Sequence, residues 1–299
     1  MKALAVISTS DRRALAEKAM YAAINARVKA GKDLVSPICI YSLAEAHGAR
    51  VTFNDINMEG MYQRGAIPRI HLSSLRPLVR RTYNCAHELG HHLLGHGSSI
   101  DELRENQVTR AWDVPEEYSA DTFASYALMP TLGLRQAFAS RDIRPGAATP
   151  AEIYRIACQF GVGYRTLVTQ LYWGEQMIGR GYADALRKHT PQSLRAQILG
   201  RLTPQPLLVV DEASTAPSID AEVGHLLLLP QGTVAQGDAL VHVADLEGGR
   251  LFEARRPGLA RISQQGGDWA AFARVARQNY VGRAEYRHLE EEADDEDEF

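Results

Sequence analysis

The stretch NCAHELGHHLLGHG, residues 84–97, constrains this chain more than any other part of its sequence. His87 and His91 stand four residues apart, and Glu88 directly follows the first histidine. In a helix, positions i and i+4 lie on one face, so the two imidazoles can reach a single ion. The glutamate then lies beside the ion, with room for a water molecule. This H-E-x-x-H pattern predicts a zinc site with Glu88 as general base.

A catalytic zinc ion also needs a third protein ligand and an open position for water. A third histidine in the pattern H-E-x-x-H-x-x-G-x-x-H requires glycine at 94 and histidine at 97, but the chain has Leu94 and Gly97. The other arrangement takes a glutamate from a following helix. We predict Glu117 as this ligand, with Glu116 as its nearest rival. Asp121, one turn later, is predicted to accept the free N–H of a ligand histidine.

Two linked segments carry a resemblance to a known family. They are IPRIHLSSLRPLVRRTYNCAHELGHHLLGH and, further on, PEEYSADTFASYALMP. In this order they resemble the ImmA/IrrE family of zinc metallopeptidases over about residues 37–173. The resemblance implies Zn²⁺ ligands at three positions: His87, His91 and Glu117. It also implies that Glu88 is the general base, and Asp121 stands at the family's Asn/Asp position.

The chain departs from the family pattern just before the metal motif. Asn84 and Cys85 stand where the family often has threonine and an aliphatic residue. We expect Cys85 to fill a core position, with a thiolate that caps the zinc as the alternative. Together with Cys39 and Cys158 it makes a sparse, odd set, which favours a reducing cytoplasm over a disulfide framework. No apolar run approaches the roughly 18 residues of a membrane helix, so we expect no membrane association.

Local sequence patterns predict several helices and strands before residue 153. Residues 11–30 have an amphipathic helical pattern. Thr149 followed by Glu152 is typical of a capped helix start, and Asp113 followed by Glu116 resembles a second one. Three short strands are predicted at 51–57, 61–64 and 67–72.

These patterns predict an α+β fold. The first part is a gluzincin-like zinc peptidase domain with a small sheet and a helix-turn-helix-like segment. After Gly200, apolar runs such as PLLVV and GHLLLLP alternate with glycine-bearing turns, which is typical of strands. The predicted domains are the peptidase domain 1–175 with the helical segment 149–175, a helical linker 176–205, a mostly β sensor domain 206–288 and an acidic disordered tail 289–299.

The resemblance implies a substrate. Members of the family typically cleave or inactivate a partner helix-turn-helix transcriptional repressor and so derepress stress, DNA-damage or anti-phage genes. Two alternatives remain open, a zinc hydrolase of small amides and a DNA-binding transcriptional regulator with a non-catalytic metal site. The second rests on the helix-turn-helix spacing after residue 149, although its second helix offers only Arg165 as a positive base reader.

Charge is distributed unevenly along the chain. The formal net charge is −3, but eight of the 36 acids lie in the last ten residues, so the remainder carries +5. Arginines and aromatic residues interleave between 250 and 287, and this mixture is typical of a surface for unpaired nucleic-acid bases. We therefore predict single-stranded DNA as an activator, with a β domain that has arginines on its solvated face and aromatic residues in its core as the alternative. The residues predicted to bind it are Arg255, Arg256, Arg274 and Arg277.

Overall fold

The computed structural model of the protein describes residues 8–101 and 113–289. Its helices are α1 Thr9–Lys29, α2 Ile40–Ala46, α3 Leu78–Leu94, α4 Pro115–Leu128, α5 Thr131–Ala139, α6 Pro150–Gln159, α7 Tyr164–Thr169, α8 Arg180–Leu186 and α9 Pro191–Leu199. Its strands are β1 Arg50–Asn54, β2 Gly60–Gln63, β3 Arg69–Ser73, β4 Ser99–Asp101, β5 Leu207–Val209, β6 Ser218–Glu222, β7 Leu226–Leu229, β8 Thr233–Gln236, β9 Leu240–Leu246, β10 Gly249–Ala254, β11 Gly258–Gln264, β12 Ala270–Ala276 and β13 Gly282–Arg283. The predicted α+β class is confirmed, whereas the gluzincin-like assignment stays a prediction. The predicted acidic tail lies outside the described residues from position 290 onward.

The chain divides into two compact units, residues 1–136 and 137–299. The sequence predicted divisions at about 175, where a helical linker begins, and at about 205, where the secondary structure changes from helices to strands. That change is observed, yet α6 to α9 belong to the same compact unit as the strands that follow them. Part of the reason is that helix α6 is tied to β5: the Tyr154 hydroxyl donates to the carbonyl of Leu207 at 2.7 Å.

In the first unit, a small sheet supports the helix that carries the metal motif. Its strands follow the order β1, β3, β2, β4, with β1 parallel to β3 and β2 antiparallel to both of its neighbours. Helix α3 packs against β2, β3 and α4. Gly90 permits the close helix contact, because a Cβ there would lie 3.1 Å from the Cα of Ala120 on α4. Gly95, at a φ of 78°, ends α3 in the left-handed region that favours glycine.

The two predicted helix starts had different outcomes. Thr149 and Glu152 form a reciprocal capping box at the start of α6, as predicted. The predicted cap at Asp113 and Glu116 is wrong, because α4 begins at Pro115 and its N-cap residue is Val114. The Asp113 carboxylate is used elsewhere, since it pairs with the Arg12 guanidinium at 2.9 Å.

A buried arginine fastens α1 to α4. Arg27 donates to the carbonyls of Ala127, Asp33 and Ser36, and its side chain is fully buried. Burial lowers the pKa of this guanidinium to about 10. These carbonyls accept hydrogen bonds from the guanidinium, so the buried cation joins α1 to the end of α4.

In the second unit, two four-stranded sheets enclose a common core. One has the order β5, β7, β10, β9 and the other the order β6, β12, β11, β8. Leu227 and Phe252 from the first sheet belong to the same apolar cluster as Ile262 and Val275 from the second. Within the described residues, no helix combines the length and apolar character required to cross a membrane.

Candidate metal centre

Helix α3 places the three defining residues of the H-E-x-x-H motif in the interior of the protein. His87, Glu88 and His91 are all buried, and the Glu88 side chain is 0 % exposed. A buried carboxylate and two buried imidazoles are costly unless other groups satisfy them. Clusters of buried ionisable groups of this kind are frequent at functional sites.

Helix α4 supplies the third group. Glu117 is buried beside the histidines, whereas its rival Glu116 is exposed. The Nε2 atom of His87 lies 3.3 Å from Glu117 Oε2, and the Nε2 atom of His91 lies 3.9 Å from Glu117 Oε1. One ligand atom from each of the three residues falls within 4.8 Å of the other two. This is the arrangement that the sequence predicted for these three residues.

Both histidines use their other ring nitrogen for orientation. His87 Nδ1 lies 2.9 Å from Asp121 Oδ1, so its proton is assigned to Nδ1, where it can donate to the carboxylate. His91 Nδ1 lies 3.0 Å from Nδ1 of His96. When His91 donates in this contact, its Nε2 atom also keeps a free lone pair. The sequence did not predict this role for His96.

The two Nε2 atoms lie 3.0 Å apart. The pKa of His91 is lowered to about 4, first because burial disfavours the imidazolium and then because of His87. With both imidazoles neutral and their protons on Nδ1, the two Nε2 lone pairs face each other beside a carboxylate. Only a cation or a proton makes that contact favourable. Two imidazole nitrogens and one carboxylate oxygen in a buried position fit Zn²⁺ by number and by chemistry.

Strand β2 shapes the space around Glu88. A Cβ at Gly60 would come within 2.8 Å of Glu88 Oε1, so glycine allows the backbone to approach the carboxylate. The preceding residue, Glu59, accepts hydrogen bonds from Asn84 Nδ2 at both its carbonyl, 2.8 Å, and its Oε2 atom, 3.0 Å. Arg80 binds the same Oε2 atom at 2.7 Å. Asn84, one of the two departures from the family pattern, thus fastens the start of β2 to α3.

The sequence offers three candidate donors for the stabilisation of an oxyanion, Tyr62, His92 and Tyr118. Tyr62 and His92 contact each other, with 2.9 Å between the hydroxyl and Nδ1, and His92 Nε2 lies 3.3 Å from the carbonyl of His47. Tyr118 lies beneath the guanidinium of Arg12, 5.6 Å from ring centroid to Cζ. All three candidates make such structural contacts.

Cys85 is completely buried on α3, as expected for a core position. Among the residues that the structure describes, the only group of histidine, cysteine and acidic side chains close enough to hold an ion is His87, His91 and Glu117. Burial raises the pKa of Cys158, in the second unit, to about 11. A thiol with that pKa is predominantly protonated at neutral pH and is a poor ligand.

The four arginines predicted to bind nucleic acid have different surroundings. Arg255 and Arg256 are exposed, and Arg277 is half-buried. Arg274 instead forms a bidentate pair with Asp220, at 2.7 and 2.8 Å. Its inclusion in an open phosphate-binding set is corrected, because an arginine held by a carboxylate in this way must break that pair to bind a phosphate.

The aromatic residues interleaved with these arginines also divide into two groups. Phe252 and Trp269 pack in or against the core, whereas Phe272 and Tyr286 are exposed. Alternation along β12 explains the exposure of Phe272, since its neighbours Ala271 and Ala273 face the interior.

The predicted helix-turn-helix segment is present as α6 and α7. Helix α7 has only six residues and continues as a π-helical turn over Gln170–Gly174. Tyr164, Leu167 and Val168 are buried, so this short helix uses much of its surface for packing. Arg165 is exposed and is its single charged residue.

Two histidines and a glutamate from neighbouring helices, with a buried glutamate beside the first histidine, define a centre typical of metal-dependent hydrolases. Residues 44–172 match the model of the IrrE N-terminal-like domain, peptidase family M78. The match covers a little under half of the chain, and over these residues it supports the predicted resemblance to the ImmA/IrrE family. Among curated proteins, none is significantly similar to the chain.

Proposed function

We propose that the protein is a zinc-dependent endopeptidase that cleaves a partner helix-turn-helix transcriptional repressor. The convergence of His87, His91 and Glu117 within 4.8 Å is the observation that carries the proposal. The family match supports peptidase chemistry. The repressor as substrate comes from the family resemblance, and its cleavage derepresses stress, DNA-damage or anti-phage genes.

The residues of this chain divide the chemical work among them. His87, His91 and Glu117 would hold the ion, which supplies Lewis-acid chemistry toward a peptide carbonyl and an attacking water. Glu88 takes a proton from that water and passes it to the leaving amine. Asp121 and His96 hold the ligand imidazoles in the required tautomer. Because Glu88 is fully buried, its carboxylate is kept from bulk solvent while it carries the proton.

Replacement of the general base tests this division of roles. Glu88→Gln keeps the shape of the side chain and leaves the three ligands in place. We expect normal metal content and a loss of repressor cleavage on the order of 10² to 10⁴. Metal analysis and a gel-based cleavage assay measure both quantities, with exposed Glu116→Gln as the matched control. Full activity of Glu88→Gln would contradict the mechanism.

The choice of substrate needs a separate test. The purified, zinc-loaded protein is incubated with any helix-turn-helix repressor encoded beside its gene, and with small amides. An intact repressor together with turnover of an amide would favour a small-amide hydrolase. If both stay intact while DNA is bound through α6 and α7, the chain is a DNA-binding regulator with a non-catalytic metal site.

Regulation by single-stranded DNA is the second part of the proposal. Exposed Arg255 and Arg256 support it as phosphate contacts, and Phe272 beside Arg261 offers an exposed stacking face. Single-stranded oligonucleotides should bind, stimulate cleavage and dissociate steeply as salt is added. The double variant Arg255→Glu, Arg256→Glu should impair stimulation and leave the metal content unchanged. Oligonucleotides that neither bind nor stimulate at low salt would overturn this part alone.

A further inference from the structure

The sheet formed by β6, β12, β11 and β8 has an outward face that carries large exposed apolar side chains. Along β11 and β12, Ala260, Ile262, Ala273 and Val275 enter the core, so the residues between them point away from it. Strand register makes these outward residues neighbours: Arg261 lies opposite Phe272, Leu259 opposite Arg274, and Arg274 opposite Asp220. We call this set the outer face; it consists of Asp220, Leu259, Arg261, Phe272 and Arg274.

The outer face combines exposed apolar groups with positive charge. Leu259 is 60 % exposed and Phe272 is 52 % exposed, and only one strand separation lies between their strands. Within the described part of the chain, no carboxylate lies within ion-pair distance of Arg261. Large apolar side chains left exposed side by side often mark an interaction surface.

Two more arginines extend the positive charge. Arg255 and Arg256 immediately precede β11 and are exposed, and the nearest pairing of Arg255, with Glu253, is a weak one at 4.0 Å. Arg274 contributes little, because Asp220 neutralises it. The surface that remains is positive and partly apolar, so it suits an acidic segment that contains an aromatic residue.

The last described residues of the chain lie beside the outer face. Arg287 and His288 lie against Asp220, each at 3.5 Å, so the last described residues are held at the edge of the outer face. Leu289 follows and is exposed. The next ten residues, 290–299, contain eight acids and end in Phe299.

We propose that residues 290–299 bind across the outer face. Their carboxylates pair with Arg255, Arg256 and Arg261, and Phe299 packs against Leu259 and Phe272. The reach is sufficient, since β6 and β11 are two strand separations apart, roughly 10 Å, and ten extended residues span roughly 33 Å. This inference rests on the residues of the outer face and does not depend on the proposed peptidase activity. If single-stranded DNA binds here, as proposed above, the acidic segment competes with it.

Photo-crosslinking of the full chain tests the docking directly. Phe299→p-benzoylphenylalanine places a reactive aromatic group at the end of the segment, and mass spectrometry maps its products after irradiation. We expect cross-links within the chain to peptides of β11 and β12. Their yield should not depend on protein concentration, and it should fall several-fold in 1 M salt, where the screening length is about 3 Å.

Matched variants sharpen the test. Arg261→Glu, or Phe272→Ser, should reduce the cross-links to the outer face, whereas Arg165→Glu on α7 should not. Products that map elsewhere in the chain would overturn the proposal. So would products that join two chains in proportion to concentration, since these would make a second copy the occupant. None of these outcomes depends on metal or peptidase activity, so failure here is distinguishable from failure of the proposed function.

Discussion

The site on α3 and α4 and the cluster around Asp220 both withdraw ionisable side chains from solvent, but the two regions pair these side chains differently. Asp220 is enclosed by the cations Arg274 and Arg287, at 2.7 and 3.5 Å. Although burial opposes it, these arginines keep the pKa of Asp220 below its ordinary value. This group of opposite charges is complete as it stands.

The site on α3 and α4 brings together three groups that all offer a lone pair to a metal ion. His87, His91 and Glu117 all present lone pairs to one point, and the outer contacts of the imidazoles fix that orientation. Such an arrangement is unfavourable until a cation enters it. The comparison teaches that burial of polar groups alone does not distinguish a functional site from a structural one. What distinguishes them is whether the buried groups satisfy one another.

Removal of a ligand should give the largest effect. Glu117→Ala takes away the only carboxylate of the metal group, so zinc affinity should fall by more than the roughly tenfold to hundredfold typical of residues behind the ligands. Glu116→Ala, one position earlier and exposed, should retain its metal. Isothermal titration with zinc measures both variants. A loss confined to Glu116→Ala would mean that the wrong acid has been assigned.

The approach of β2 to Glu88 predicts the next effect. Gly60→Ala places a methyl carbon 2.8 Å from Glu88 Oε1, which is closer than van der Waals contact, so the carboxylate must shift. Displacement by about 1 Å costs on the order of 10² in rate. Metal content should stay normal, because no ligand is touched. Gly97→Ala is the control, since a Cβ there meets no atom within 4 Å; equal activity of both variants would show that Glu88 tolerates displacement.

The orientation of His87 predicts a smaller effect. Asp121→Ala removes the acceptor for Nδ1 and should lower zinc affinity or activity roughly tenfold to a hundredfold. Asp121→Asn keeps an oxygen acceptor, so its loss should be smaller. Zinc titration of the two variants decides the matter, and an unchanged affinity in Asp121→Ala would remove Asp121 from the site.

The smallest effect is on the free energy of unfolding, and it depends on His288 beside Asp220. Burial, followed by Arg287, lowers the pKa of His288 to about 4 from 6.5. The unfolded chain therefore takes up a proton below about pH 6.5 that the folded chain refuses, and stability present above pH 6.5 is lost as the pH falls toward 4. The loss is roughly 1 to 3 kcal/mol.

Chemical denaturation at pH 7, 5.5 and 4.5 measures this loss, and His288→Gln should show less of it. The variant should leave zinc binding unchanged, because the outer face and the metal group lie in different units. The same pH dependence in both proteins would assign the titration to another group.

Much of the metal group could be predicted from sequence. The spacing of His87 and His91 fixes one helical face, and that relation is local to α3. Glu117 required more, because the sequence contained two adjacent acids and the family motif favoured one of them. Burial distinguishes them, since Glu117 turns inward and Glu116 outward on the first turn of α4.

The sequence by itself determined the helix α3, its buried face and the capped start of α6, because these depend on residues within a turn or two of one another. Only the tertiary structure decided that Gly60 approaches Glu88 and that the Asp220 carboxylate holds Arg274. The last contact joins residues 54 positions apart, through the parallel register of β6 and β12. No local pattern encodes such a register, since it follows from how loops and core packing bring distant strands together.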